Sequence, residues 1–247
     1  MANAMVIGVI GGSGGVGATS LSAALAVRAA AAGRRAACID GDPLGGGLDV
    51  SFGLEQEPGL RWPDLARVRG TVDGDRLVAR LPRGAGVAVL SFERQLDLEP
   101  GPAAEQVVLA LKSACEVLVL DLPRAGGALY TTLVAAADAV LLLVGDGVHD
   151  LAAAQVMARR LSADCPDLWL AVRCAGRTRP GDSDAFATSV AHALDLPLIA
   201  AFGTDAGLAA DLLHGIPPGE RSTGGLTLVA DRMLAQALLP GGGRAAS

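Results

Sequence analysis

The chain has 247 residues, 51% of them hydrophobic but only 3% aromatic, with 33 glycines and a formal net charge of −6; its pI is near 5.0. At that length one α/β unit is expected, and a core so poor in aromatic rings must be built from Val, Leu, Ile and Ala, which suits helices packed on a parallel sheet. The acidic balance, with Lys112 the single lysine, argues against a broad electrostatic footprint for DNA or anionic lipid, while leaving room for a local arginine patch.

Apolar strand-like runs alternate along the chain with alanine-rich helical patterns. Met5 to Ile10 reads as a buried strand, followed by a glycine-rich turn and a helix from Ala18 to Ala32 that stops at Gly33. Further strands are expected at Ala36 to Asp40, Gly86 to Ser91, Glu116 to Asp121, Ala139 to Gly145, Leu168 to Arg173 and Leu198 to Ala201. Helices are expected at Ala103 to Ala114, Leu151 to Leu161, Asp184 to Leu194 and Thr227 to Leu239. This order predicts an α/β fold, a doubly wound and mostly parallel sheet flanked by helices, with right-handed crossovers. A single domain over residues 1–240 is expected, with residues 241–247 as a disordered tail.

Met5 to Ile10 is too short for a signal sequence, and no stretch approaches the roughly 18 apolar residues of a membrane span, so a soluble cytoplasmic protein is expected. Cys38, Cys115, Cys165 and Cys174 lie far apart, without a CxxC pair or histidines at ligand spacing. They read as buried free thiols in a reducing compartment.

Gly11 to Ser20 reads GGSGGVGATS. It fits the frame G-x-x-x-x-G-K-[ST] at Gly12, Gly17 and Thr19 and fails at Ala18. Such glycines let backbone N–H groups turn inward at a helix N-terminus, where the dipole also favours an anion. A tight packing turn would use the same glycines. Two acidic strand ends follow, Asp40/Asp42 and Asp121, where an open parallel sheet places ligands. Each could instead cap its own turn, at Pro43 or Pro123.

GGSGGVGATS, CIDGDPLGGGLD and VLVLDLPRAG together resemble the deviant Walker ATPases of the ParA/MinD superfamily, whose loop runs GGKGGVGKT[ST]. Residues 45–94, with GLDVSFGLE, PGLRWPDLA, VDGDRL and LPRGAGVAVLSFER, and the later VRCAG, LDLPLIAAF and IPPG, are similar to the CpaE-like and TadZ-like subgroup, the septum-site-determining-like proteins of actinobacteria. Members often carry a receiver-like N-terminal domain, so the chain is expected to be either a short member or part of a longer product.

The resemblance implies ATP with Mg²⁺ as cofactor, held by Gly12, Ser13, Gly14, Gly15, Val16, Gly17, Ala18, Thr19 and Ser20. Thr19, Asp121 and Asp40 would hold the metal, which arrives with nucleotide, and Asp42 would orient the attacking water. Ser13 and Ala18 stand where the superfamily has lysine. Losing two charge-assisted contacts of about 1.5–3 kcal/mol each weakens triphosphate binding by about two to four orders of magnitude. The lysine replaced by Ser13 reaches a dimer partner's phosphates in active relatives, and groups acting in this way contribute about 10³–10⁵ in rate. Arg124, just after the second acidic strand end, could compensate or be a solvated loop arginine. Arg173 and Cys174 stand where active relatives place a base-reading asparagine.

His149, His192 and His214 are isolated and read as surface or cap residues. Trp62 is either a core plug or an exposed partner anchor. Leu226, Val229, Met233, Leu234 and Leu238 recur at helix spacing and are expected to dock on the sheet, since Arg232 alone makes no basic membrane-facing side. The functional expectation is a homodimeric spatial organiser or regulator of a pilus, secretion or septum apparatus, with weak or absent hydrolysis and protein partners. An active partitioning ATPase and a nucleotide or anion sensor are the alternatives.

Overall fold

The computed structural model describes residues 4–93, 100–165, 167–176, 180–221 and 223–239; Arg94 and the expected tail at 241–247 lie outside them. Eight strands form one sheet: β1 (Met5–Gly11), β2 (Ala36–Asp40), β3 (Arg83–Gly84), β4 (Val87–Leu90), β5 (Val117–Asp121), β6 (Ala139–Gly145), β7 (Leu168–Arg173) and β8 (Leu198–Phe202). Their order is β3-β4-β2-β5-β1-β6-β7-β8. All pairings are parallel except that of the two-residue edge strand β3 with β4.

The helices are α1 (Ala18–Ala31), α2 (Leu48–Ser51), α3 (Trp62–Leu65), α4 (Gly74–Arg80), α5 (Ala103–Ala114), α6 (Ala128–Ala136), α7 (Val148–Asp164), α8 (Pro180–Leu194), α9 (Leu208–Leu213) and α10 (Gly225–Ala237). The strand residues are sorted between the two sheet faces by their period of two. Ile7 and Val9 of β1, with Leu141 and Leu143 of β6, pack with α1 and α10. Val6 and Ile10, with Val140, Leu142 and Val144, pack with α5, α6 and α7. Burial on both faces is what the near-continuous apolar strands require.

The expected strands and helices are all present, with ends that shift by a few residues. α7 begins at Val148 instead of Leu151 because Asp150 accepts a hydrogen bond from the Gly147 N–H at 3.2 Å, capping an earlier turn. Six short or unmarked elements escaped the sequence reading: α2, α3, α4, β3, α6 and α9. α6 (ALYTTLVAA) is apolar almost throughout and runs into β6, so no polar face separates the two. α4 is marked only by Asp73, whose side chain accepts from the Arg76 N–H.

Trp62 is a core plug with no exposed surface. Its ring lies 6.0 Å from that of Phe92. α10 docks as expected, burying Leu226, Val229, Met233 and Leu234 against α1 and the sheet, while Leu238 remains 40% exposed. All four cysteines are buried and outside any disulfide. Among the described residues no helix is long and apolar enough to cross a membrane.

Candidate functional site

The strand order brings the ends of β1, β5 and β2 together at the carboxyl edge of the sheet. The loop from Gly11 to Thr19 crosses this edge between β1 and α1. Gly15 and Gly17 have φ of 76° and 102°, the left-handed region where a side chain is strained. They turn the chain so that α1 starts with no side-chain cap and no acidic residue in its first turn. Its first amides therefore stay available to an anion. Gly12 serves a different need: its N–H donates to the Leu143 carbonyl at 2.8 Å, and a Cβ there would stand 3.0 Å from that of Ala154 on α7.

A cleft of about 270 Å³ opens over this loop, lined by Ser13 to Ser20, Asp42, Asp121, Leu122 and Arg124. Two acidic positions are thus brought to the loop. The third is not: Asp40 lies beside Asp121 in strand register but does not line the cleft. Its two oxygens accept from the N–H groups of Asp42, at 3.0 Å, and Leu48, at 2.9 Å. Each oxygen of Asp40 is thus engaged by a backbone amide of its own turn, which orients the carboxylate within that turn. Asp42 likewise accepts from Leu44 N–H at 3.1 Å but keeps a place in the cleft.

Asp121 is 4% exposed. The Ser22 hydroxyl donates to it at 2.9 Å. Burial raises its carboxyl to about 6, with Thr19 and Ser22 opposing the rise and Asp42 adding to it. Asp40 is pushed to about 7, first by burial and then by the charge of Asp121, against the two amides that hold it down. Two buried carboxylates side by side disfavour full ionisation. Thr19 and Asp121 are the residues of the expected metal set that meet in the cleft, and a hydroxyl beside a carboxylate at a helix N-terminus suits a Mg²⁺ that brings phosphate oxygens and water with it.

Ser13 and Ala18, where the resemblance implies lysine, also have defined surroundings. The Ser13 hydroxyl donates to Asp150 on α7, and Ala18 opens α1 with no side-chain donor for a phosphate. Arg124 is exposed yet lines the cleft, its Nη2 3.1 Å from where a Cβ on Gly14 would stand. Arg173, at the end of β7, turns back to the loop, and its Nη1 donates to the carbonyls of Val16 at 3.3 Å and Gly15 at 3.5 Å. Sequence reasoning missed Ser22 and Asp150. Ser22 had a signal, one turn beyond Thr19 on the same helix, whereas nothing local joins residues 13 and 150. The three histidines stay outside the cleft, and His214 bonds the Ala210 carbonyl of its own turn.

No family model matches the chain. An uncharacterised protein of Mycobacterium tuberculosis is 39% identical over 211 residues, which are 85% of this chain and 57% of that protein; the chain thus spans little more than half the length of this curated relative. Among solved structures, a ParA family ATPase from Chlorobium tepidum matches with a TM-score of 0.76 at 12% identity, over 95% of this chain and 99% of that one. The septum site-determining protein MinD of Pyrococcus horikoshii, complexed with Mg-ADP, matches with a TM-score of 0.66 at 20% identity, over 93% and 94%. The eight-stranded sheet with its phosphate loop has the fold of the MinD/ParA P-loop ATPases.

Proposed function

We propose that this chain is a member of the ParA/MinD superfamily, of the CpaE-like and TadZ-like kind, that works by binding and association with little or no ATP hydrolysis. The observation that carries this reading is the composition of the cleft: backbone donors, Thr19 and Asp121 are in place, while Ser13 and Ala18 offer no cation. The arrangement can order a nucleotide with its Mg²⁺. It lacks the charge that would stabilise a transferring phosphoryl group. Arg124 supplies one guanidinium at the rim, enough for weak phosphate contact.

The protein would form a homodimer through the loop face, where the missing lysines remove a like-charge repulsion between copies. Its output would be recruitment of protein partners in a pilus, secretion or septum apparatus. The similarity of residues 45–94 to that subgroup supports this assignment.

Titration calorimetry with ATP, ADP and GTP in Mg²⁺ tests the reading. The expected result is an ATP or ADP affinity near the millimolar range and no steady turnover. Ser13→Lys with Ala18→Lys should tighten binding by about two orders of magnitude, although the new ammonium at residue 13 would meet the Asp150 carboxylate. Low-micromolar ATP binding with steady turnover by the unaltered chain would overturn the proposal in favour of an active ATPase.

A further inference from the structure

The phosphate loop is held in cis from two sides. Its donor side is fastened through Ser13, whose hydroxyl bonds Asp150 at the start of α7. Its acceptor side is fastened through the carbonyls of Gly15 and Val16, both of which take Arg173 Nη1. Asp150 follows β6 and Arg173 ends β7, neighbouring strands whose ends are paired at Gly145 and Arg173. Between the two clamps lies Gly14, with the left-handed Gly15 and Gly17 on and just beyond the second. A chain with left-handed glycines at 15 and 17 loses much conformational entropy when it is fixed, and the loop has no lysine side chain with which to contribute.

We infer that Arg173 is a positioning residue: a strut that holds the empty loop in its ligand-ready shape, with Ser13–Asp150 as the opposing tie. The inference rests on the reading of the cleft as an anion site but concerns the unliganded protein. The guanidinium suits this task, because it stays charged and carries several donors in a fixed plane, so one Arg can meet two carbonyls. Both contacts come from one nitrogen, Nη1, and go to the loop's own backbone, and Arg173 does not line the cleft. Arg173 thus contributes shape to the cradle, and the charge available to a phosphate is left to Arg124 and the α1 amides. Cis clamps of this kind also remove part of the ordering cost that a ligand would otherwise meet.

Amide hydrogen exchange of the full chain without ligand tests the strut. Arg173→Ala should speed exchange at the hydrogen-bonded amides that flank the loop, Gly12 and Leu21, by about tenfold, as expected for loss of one charge-assisted anchor, with β1 and β6 amides unchanged as the control for folding. Arg173→Lys should fall between, and Ser13→Ala with Arg173→Ala should exceed either change alone. Equal exchange in the unaltered chain and Arg173→Ala would overturn the strut. A second measurement, calorimetric binding of inorganic triphosphate with Mg²⁺, separates the two readings. If Arg173→Ala abolished triphosphate binding while loop exchange stayed as before, Arg173 would be a direct ligand contact and the inference would fall. If the unaltered chain bound no triphosphate yet its exchange depended on Arg173, the anion-site reading would fall and the strut would stand.

Discussion

Asp40 and Asp121 end adjacent strands in direct register, so two carboxylates share one buried space and each is raised, to about 7 and about 6, from an ordinary value of 3.8. Because both folded values lie above the unfolded one, the native state binds more protons than the unfolded state between about pH 4 and 7. Stability from this pair therefore falls as pH rises through that window, and the penalty is complete above about pH 7. At about 1.4 kcal/mol per unit, the pair's penalty is on the order of several kcal/mol. The urea midpoint should rise as pH is lowered from 8 to 5.5, and Asp40→Asn with Asp121→Asn should remove most of that slope. Parallel profiles for the unaltered and doubly substituted chains would show that the buried pair does not carry the effect. Among the acidic candidates the sequence located the right strand ends, since an apolar run closed by Asp is a local signal. It could not say that Asp40 turns to the amides of Asp42 and Leu48, because that choice depends on the path of residues 43–47 in space.

The elements around the site differ in how much of them a linear pattern records. The long strands and α1, α5, α7, α8 and α10 were legible because alternation, or apolar spacing near 3.6, persists over many residues. Residues 48–84 were not, because α2, α3 and α4 are four to seven residues long and β3 only two, too short for a period to declare itself. Yet this segment is tied to the site. α3 begins at Trp62, and its indole N–H donates to the Asp40 carbonyl at 2.8 Å. On the other side of the same turn the Gly41 N–H donates to the Asp121 carbonyl at 2.9 Å. Trp62→Phe keeps a buried ring but leaves the Asp40 carbonyl without this partner, which costs about 1–3 kcal/mol. Trp62→Ala adds a cavity and should cost about 3–5 kcal/mol. Chemical denaturation of the two variants tests the order. Equal losses would show that ring volume is immaterial, and a neutral Trp62→Phe would show that the indole bond to Asp40 contributes nothing.

At the scale of the molecule, two of the large apolar side chains left in solvent follow strands that end at the carboxyl edge of the sheet. Leu44, two residues after Asp42, is 85% exposed, and Val148, at the start of the helix that holds Ser13, is 82% exposed. Isolated exposed leucines are ordinary; these two follow β2 and β6, the strands on either side of β5 and β1 in the sheet. A two-fold contact through the phosphate loop would set like patches against each other, and with Ser13 and Ala18 at the loop no lysine pair opposes the approach, which leaves Arg124 as the cation at the rim. A self-associating form of this kind should not need nucleotide to neutralise its face. Sedimentation velocity at several protein concentrations, with and without Mg-ATP, should therefore show a dimer in both conditions. Leu44→Glu or Val148→Glu should shift it towards monomer by placing like charges across the axis. Leu109→Glu, 53% exposed on the flank at α5, should leave the dimer intact. A monomer under every condition would end the dimer proposal, and a dimer lost equally in all three variants would place the contact elsewhere than at the loop.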